Sequence, residues 1–208
     1  MDHFVVTIAR EYGAGGSSIA SLLAEQLGVP YYERKLLRMA SDVSGINESL
    51  FGEVDERLGK HELIRAANKV YVGEVLPPDS DNFTSTQNLF NFQAKIIKEL
   101  AETSSCIIVG RCADFLLSDK PYVLRVFLHA SLENRVARMA AYTPTLSEAD
   151  IVRQIKTEDK RRAEYYKYYT NDDWRDAAHY DISIDSGKLG DEGCVEIIKK
   201  AIPLFTKA

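Results

Sequence analysis

Residues 9–20 read AREYGAGGSSIA, a glycine density that lets backbone N–H groups close around a phosphate where a strand hands over to a helix. Against the phosphate-loop pattern G-x-x-x-x-G-K-[ST], Gly16 and Ser18 match, Glu11 replaces the first glycine and Ser17 replaces the lysine. Gly13, Ala14, Gly15, Gly16, Ser17 and Ser18 therefore form a candidate phosphate-binding segment. The Ser18 hydroxyl stands where a Mg²⁺ ion that otherwise keeps its waters would be held. What the segment lacks is the lysine's point charge, and Arg10, at the end of the preceding apolar run, is the candidate replacement. Two other readings stay open. Gly13-x-Gly15 with an acid 20 residues beyond Gly13, at Glu33, imitates a dinucleotide fingerprint whose third glycine is here Ser18. A glycine-rich turn also needs no ligand at all.

Cations are the second chemical feature. At about 100° per residue, Arg153, Lys156, Lys160 and Lys167 fall within an arc of about 60° on one long helical stretch, opposite Ile151, Ile155, Tyr166 and Tyr169. Such a stripe reads as a solvated face. Arg162 falls among the apolar positions instead and requires an inward partner, either an internal carboxylate or a bound phosphate. Glu158 and Asp159 offer pairing along the helix itself. With Arg111, Arg135 and Arg138 on other elements, the arginines come from several parts of the chain, as phosphoryl transfer requires for neutralising the transferring group. His3, His61, His129 and His179 stand isolated, without metal-hydrolase or catalytic-triad spacing.

These residues need a scaffold, and the pattern supplies one. FVVTIA (4–9) is a continuous apolar run suited to a strand covered on both faces. Ile19, Leu22, Leu23 and Leu27 follow at helical spacing before Gly28 and Pro30. VPYYE, CIIVG, VLRVFLHA and DISID read as four further strands. Helices are expected near 34–43, in one or two pieces between Asn47 and Leu76, over Thr86–Glu102, after Ser131, from Ser147 to about Tyr169, and from Asp191 on. PPDSDNFTS (77–85) reads as loop. Alternating strands and helices predict a parallel α/β sheet with ligands beyond the strands' carboxyl ends.

Composition narrows the function class. The 208 residues suit a single core, and a net charge of −5 excludes broad electrostatic capture of nucleic acid or anionic membrane. Three cysteines without a C-x-x-C pair suggest neither a disulfide framework nor a zinc site, so a reduced cytoplasm is the expected setting. No apolar run approaches membrane length. The oligomeric state is open, a homodimer included.

In order along the chain, VTIAREYGAGGSSIA, LGVPYYERKLL, IIVGRCADFLL, RVFLHASLENRVARM, KTEDKRRAEYYKYYTNDDW and YDISIDS resemble the cytidylate kinase-like family of P-loop proteins. The likeness covers nearly everything but about residues 47–85. It implies a three-layer P-loop NTPase-like domain over 1–208, with a five-stranded parallel sheet, a helical acceptor-binding region within 34–104 and an arginine-bearing lid within 131–178. It further implies an ATP-dependent phosphotransferase using Mg²⁺, with a nucleoside monophosphate such as CMP or dCMP, or another small phosphorylated molecule, as acceptor. Gly13 to Ser18 would then wrap the donor phosphates, Glu33 would sit near the acceptor or a hydrated Mg²⁺, Arg111 and Asp114 would serve the acceptor, and Arg135, Arg153, Arg161 and Arg162 would be the lid's arginines. Two alternatives of other classes are a nucleotide-binding regulatory module that has lost turnover and an NAD-dependent oxidoreductase.

Overall fold

The computed structural model describes residues 3–56, 58 and 73–206. Its centre is a sheet of five parallel strands: β1 (Val5–Arg10), β2 (Tyr31–Tyr32), β3 (Cys106–Val109), β4 (Val123–His129) and β5 (Ile182–Asp185), in the order β2-β3-β1-β4-β5. Strand alternation builds the two faces. Val5, Ala9, Cys106, Ile108, Val123 and Phe127 point into one core, and Val6, Ile8, Ile107, Val109, Leu124 and Val126 into the other. Both faces are apolar because both are covered, as parallel sheets demand.

Helices α1 (Gly16–Leu27) and α8 (Ser186–Phe205) cover the second core through Ile19, Leu23, Val195 and Ile198. On the opposite face lie α4 (Thr86–Thr103), α5 (Ala113–Leu116) and α7 (Glu148–Thr170), contributing Phe90, Ile97, Leu116, Tyr165, Tyr166 and Tyr169. Tyr169 stacks on Phe90 with ring centroids 3.7 Å apart. The tyrosines of α7 are therefore packing residues rather than a base-stacking surface. Two shorter helices, α2 (Lys35–Ser44) and α3 (Glu48–Glu53), form a satellite core with α4 around Leu37, Phe51 and Leu89. Helix α6 (Leu132–Tyr142) follows β4 and crosses toward the glycine loop.

The caps expected from sequence are formed. Ser131 accepts from the Asn134 N–H, and Ser147 accepts from the Asp150 N–H while donating its hydroxyl to the Asp150 carboxylate. Helix α8 begins at Ser186, earlier than the apolar periodicity suggests, because a short segment is joined across a break at Gly190, φ 68°. Of the helices expected between Asn47 and Leu76, α3 is present and residues 73–76 are irregular, whereas 57 and 59–72, with His61, lie outside the described residues.

Candidate active site

The glycine loop leaves β1 and enters α1 beyond the carboxyl end of the central strand. Helix α1 has no side-chain cap at its N-terminus, so the N–H groups of Gly16, Ser17 and Ser18 point at the cleft without an intrahelical acceptor. The loop is fixed from behind: the Ala14 N–H donates to the Glu11 carbonyl, and the Ala14 carbonyl accepts from the Ser186 hydroxyl at 2.7 Å. Ala14 gives its side chain to the core and only its backbone to the loop. Gly15 has φ 82°, and a Cβ there would lie 2.6 Å from Arg138 Nη1. Glycine is required at this position on both counts.

Arg138 is thus the guanidinium laid over the loop. It donates to the Ser18 hydroxyl at 3.3 Å and is held by Asp191 through two bonds of 3.2 and 2.7 Å. The hydrogen bonds that Arg138 donates to Asp191, ahead of the burial that opposes them, raise its pKa further. Arg10 takes another course. Its stem passes against Gly16, and its guanidinium turns toward Gly110, donating to Glu56 at 2.6 Å and Glu33 at 3.4 Å. A cleft of about 290 Å³ joins the loop to Arg10, Glu33, Arg138, Tyr142 and Arg162.

At the cleft's far side, three arginines meet three carboxylates. Glu56 Oε1 accepts from Arg10 and from the Arg111 backbone N–H at 3.2 Å, and Glu56 Oε2 accepts from Arg162 Nε at 3.0 Å. Arg111 donates to Asp55 at 3.0 Å, and Glu33 also accepts the Ser17 hydroxyl at 3.0 Å. Burial works against ionising Glu56, but Arg10 and Arg162 overcome it and hold the carboxyl far below its usual range. The backbone here is unusual. Gly110, Arg111 and Cys112 form three successive left-handed residues with φ of 73°, 55° and 55°, and Glu56 has φ 50°. For side-chain-bearing residues this costs on the order of 1–2 kcal/mol each, and such strain gathers at functional sites.

The remaining residues singled out by sequence divide by location. Asp114 is buried at the start of α5 and accepts from the Tyr166 hydroxyl at 2.7 Å, with burial pushing its carboxyl pKa up. Arg135 is buried behind the loop, bound to Asp159 at 2.6 Å and near Glu11 at 3.5 Å. Asp159 also accepts from the Tyr12 N–H and from Arg175. Arg153 pairs with Asp150 and is largely exposed, while Arg161 is held by Glu158; neither lines the cleft. Arg162 has the inward partner its helical phase demands, and that partner is a carboxylate, Glu56. Glu56, Asp55 and Asp191 escaped the sequence reading. Their signal is indirect: an inward arginine requires a counterion, and the sequence offers Arg162 the acids of its own helix, Glu158 and Asp159, ahead of an acid 106 residues away.

A glycine loop uncapped at a helix N-terminus, on the central strand of a parallel sheet ordered β2-β3-β1-β4-β5, defines a P-loop kinase type of protein. The chain belongs to the cytidylate kinase-like family, whose model matches residues 5–188. It is 26% identical over 198 residues to a cytidylate kinase of Methanosarcina barkeri, covering 95% of each chain. Its fold is similar to that of an uncharacterized protein from Eubacterium ventriosum, with TM-score 0.71, 25% identity and coverage of 97% and 99% of the two chains. It is also similar to a shikimate kinase from Bacteroides thetaiotaomicron, with TM-score 0.54, 12% identity and coverage of 96% and 98%. By family the chain is a phosphotransferase of the nucleotide-kinase type. The dinucleotide reading is overturned: β3 lies between β1 and β2, whereas in a dinucleotide fold the strand that leads to the acid pairs directly with the glycine strand. Among the described residues no helix is long and apolar enough to cross a membrane.

The oxygens at the loop suit a magnesium ion. Ser18 donates its hydroxyl proton to the Gly15 carbonyl at 2.9 Å and accepts from Arg138 at 3.3 Å, which leaves one lone pair for a metal, and the Glu33 carboxylate lies beside Ser17. Mg²⁺ bound with phosphates asks for only one or two protein oxygens. Among the described residues no group of three or more His, Cys, Asp or Glu could hold a metal.

Proposed function

We propose that the chain transfers the γ-phosphoryl group of ATP to a small phosphorylated acceptor of the nucleoside monophosphate type, CMP and dCMP first among them. One observation carries the reading: open N–H donors of Gly16, Ser17 and Ser18 line the same cleft as Arg10 and Arg162. The donor phosphates would lie against the loop, whose N–H groups are already oriented. Arg138, rather than Arg10, is the donor-side cation in this reading, because it overlies Gly15 and Ser18. Ser18, with Glu33 through a water, would hold the Mg²⁺, which supplies charge neutralisation across the donor phosphates. Arg10, Arg111 and Arg162 would receive the acceptor's phosphate, with Asp114 in the wall behind them. Catalysis is then placement of the acceptor oxygen in line with the γ-phosphate, with no covalent intermediate. Arg153 and Arg161 remain candidates for a lid over 131–178; its moving part would exclude the core residues Tyr165, Tyr166 and Tyr169.

The decisive measurement is ADP formation with Mg²⁺ and ATP across the nucleoside monophosphates and their unphosphorylated nucleosides. Turnover that depends on a monophosphate is expected. A second reading, a nucleotide-binding module without turnover, is favoured by the three carboxylates that occupy the arginines. ATP binding with no acceptor-dependent ADP would select it.

A further inference from the structure

Glu56 makes an unusual set of contacts for a structural acid. Each of its two oxygens is bonded, to Arg10 and the Arg111 N–H on one side and to Arg162 on the other. Two guanidinium groups and a main-chain N–H converging on one anion is the way proteins hold phosphate oxygens. The contacts are also tight enough that a Cβ on Gly110 would collide with both Glu56 Oε1 and Arg10 Nη1.

Two further features point to an occupant rather than a mere counterion. The lining carries more donors than Glu56 uses: among the described residues, Arg111 Nε and the Tyr165 hydroxyl have no hydrogen-bond partner, although their residues are only 2% and 3% exposed. Both residues border the small cavity that Glu56 itself walls, which has only about 20 Å³ left, room for a single water. In addition, Glu56 is held in a left-handed backbone conformation that an L-residue rarely adopts without side-chain contacts to fix it. The charges balance as they stand, Arg10, Arg111 and Arg162 against Glu33, Asp55 and Glu56. A phosphate dianion added to this set would leave an excess of buried negative charge unless a carboxylate left.

We propose that Glu56 is a resident stand-in for the acceptor's phosphate, and that an anionic acceptor enters by displacing its carboxylate from Arg10, Arg162 and the Arg111 N–H. The inference rests on the acceptor side of the kinase reading and adds a selection rule to it. A neutral nucleoside has nothing with which to displace Glu56, whereas a phosphate monoester does. Arg111 Nε and the Tyr165 hydroxyl then gain the acceptor that they lack. The protein discriminates by exchange of one anion for another.

The test is calorimetric titration of the full chain and its Glu56→Gln variant with inorganic phosphate. Glutamine keeps the shape and an acceptor oxygen but not the charge. The donor loop takes phosphate in both proteins, so the difference between them is the reading. At least tenfold tighter binding in the variant is expected; equal or weaker binding overturns the proposal. Should the variant fail to fold, the wild type decides. Saturating phosphate is expected to speed backbone hydrogen exchange over residues 54–56, and unchanged exchange, or no phosphate binding, overturns it. The two readings fail separately. A variant that gains phosphate affinity in a chain that phosphorylates no monophosphate keeps the displacement and removes the kinase assignment. A chain that phosphorylates CMP while both proteins bind phosphate alike does the reverse.

Discussion

Replacing Arg138 by methionine removes the guanidinium over the loop while keeping an unbranched stem of similar length. In the structure this group lies 3.3 Å from Ser18 Oγ, with its side chain 24% exposed and bound to Asp191. A cation about 4 Å from a phosphate oxygen is worth roughly 4 kcal/mol at an effective dielectric of 20. Asp191 shares the charge and water screens it, so the scale of a charge-assisted hydrogen bond, about 1.5–3 kcal/mol, is the better guide. Arg138→Met is therefore expected to weaken binding of a non-hydrolysable ATP analogue with Mg²⁺ by roughly ten- to a hundredfold. Asp191→Asn, which frees the guanidinium, is expected to leave that affinity unchanged or tighten it a fewfold. Arg10→Met is expected to spare donor binding within about twofold, because its guanidinium is committed to Glu56 and Glu33. Calorimetry on the three variants decides. If Arg138→Met binds the analogue as wild type does while Arg10→Met loses it, the charge that replaces the loop lysine has been assigned to the wrong arginine.

Further substitutions test the same structure. Gly15→Ala places a methyl 2.6 Å from Arg138 at φ 82° and is expected to lower both thermal stability and donor affinity; Gly28→Ala, at φ 65° with nothing within 4 Å, is expected to lower stability alone by about 1–2 kcal/mol. Asp159→Asn breaks a buried ion pair that serves Arg135 and Arg175, with an expected cost of about 3–5 kcal/mol, read as a fall in Tm of roughly 6–20 °C. Glu56 is held ionised below the usual range around 4.5, so its unfolded form takes up the proton first as pH falls. Its contribution to stability is complete above that range and drains away on acidification, by at most about 1.4 kcal/mol per pH unit. Unfolding curves from about pH 6 to about pH 2 should be flatter on this limb for Glu56→Gln than for wild type.

The strands, the glycine loop and the two serine caps were legible because each is set by residues close in sequence. Arg162 was legible as well: its helical phase places it inward whatever it meets there. Its partner was not, since Glu56 lies 106 residues away in sequence and 46 from Arg10, just beyond the end of α3 in a stretch that the sequence reads as helix. The division between Arg10 and Arg138 was hidden for a related reason. Arg10 precedes the loop in sequence, but its stem is steered under Gly16 toward Gly110, whereas Arg138 arrives from 120 residues beyond Ser18 on a helix whose crossing only the packed sheet fixes. Nearness along the chain points to Arg10, whereas the guanidinium that overlies the loop belongs to Arg138.

Asp159 draws four stretches of chain to one carboxylate: the Tyr12 amide, Arg135 on α6, its own helix α7 and Arg175 beyond it. Trp174, buried next to Arg175, seats that last stretch against the sheet. Exchange of the Tyr12 amide should consequently follow the opening of the 171–176 segment rather than the fraying of the loop. A single proton, watched by NMR, becomes a gauge of when α7 lifts from the glycine loop.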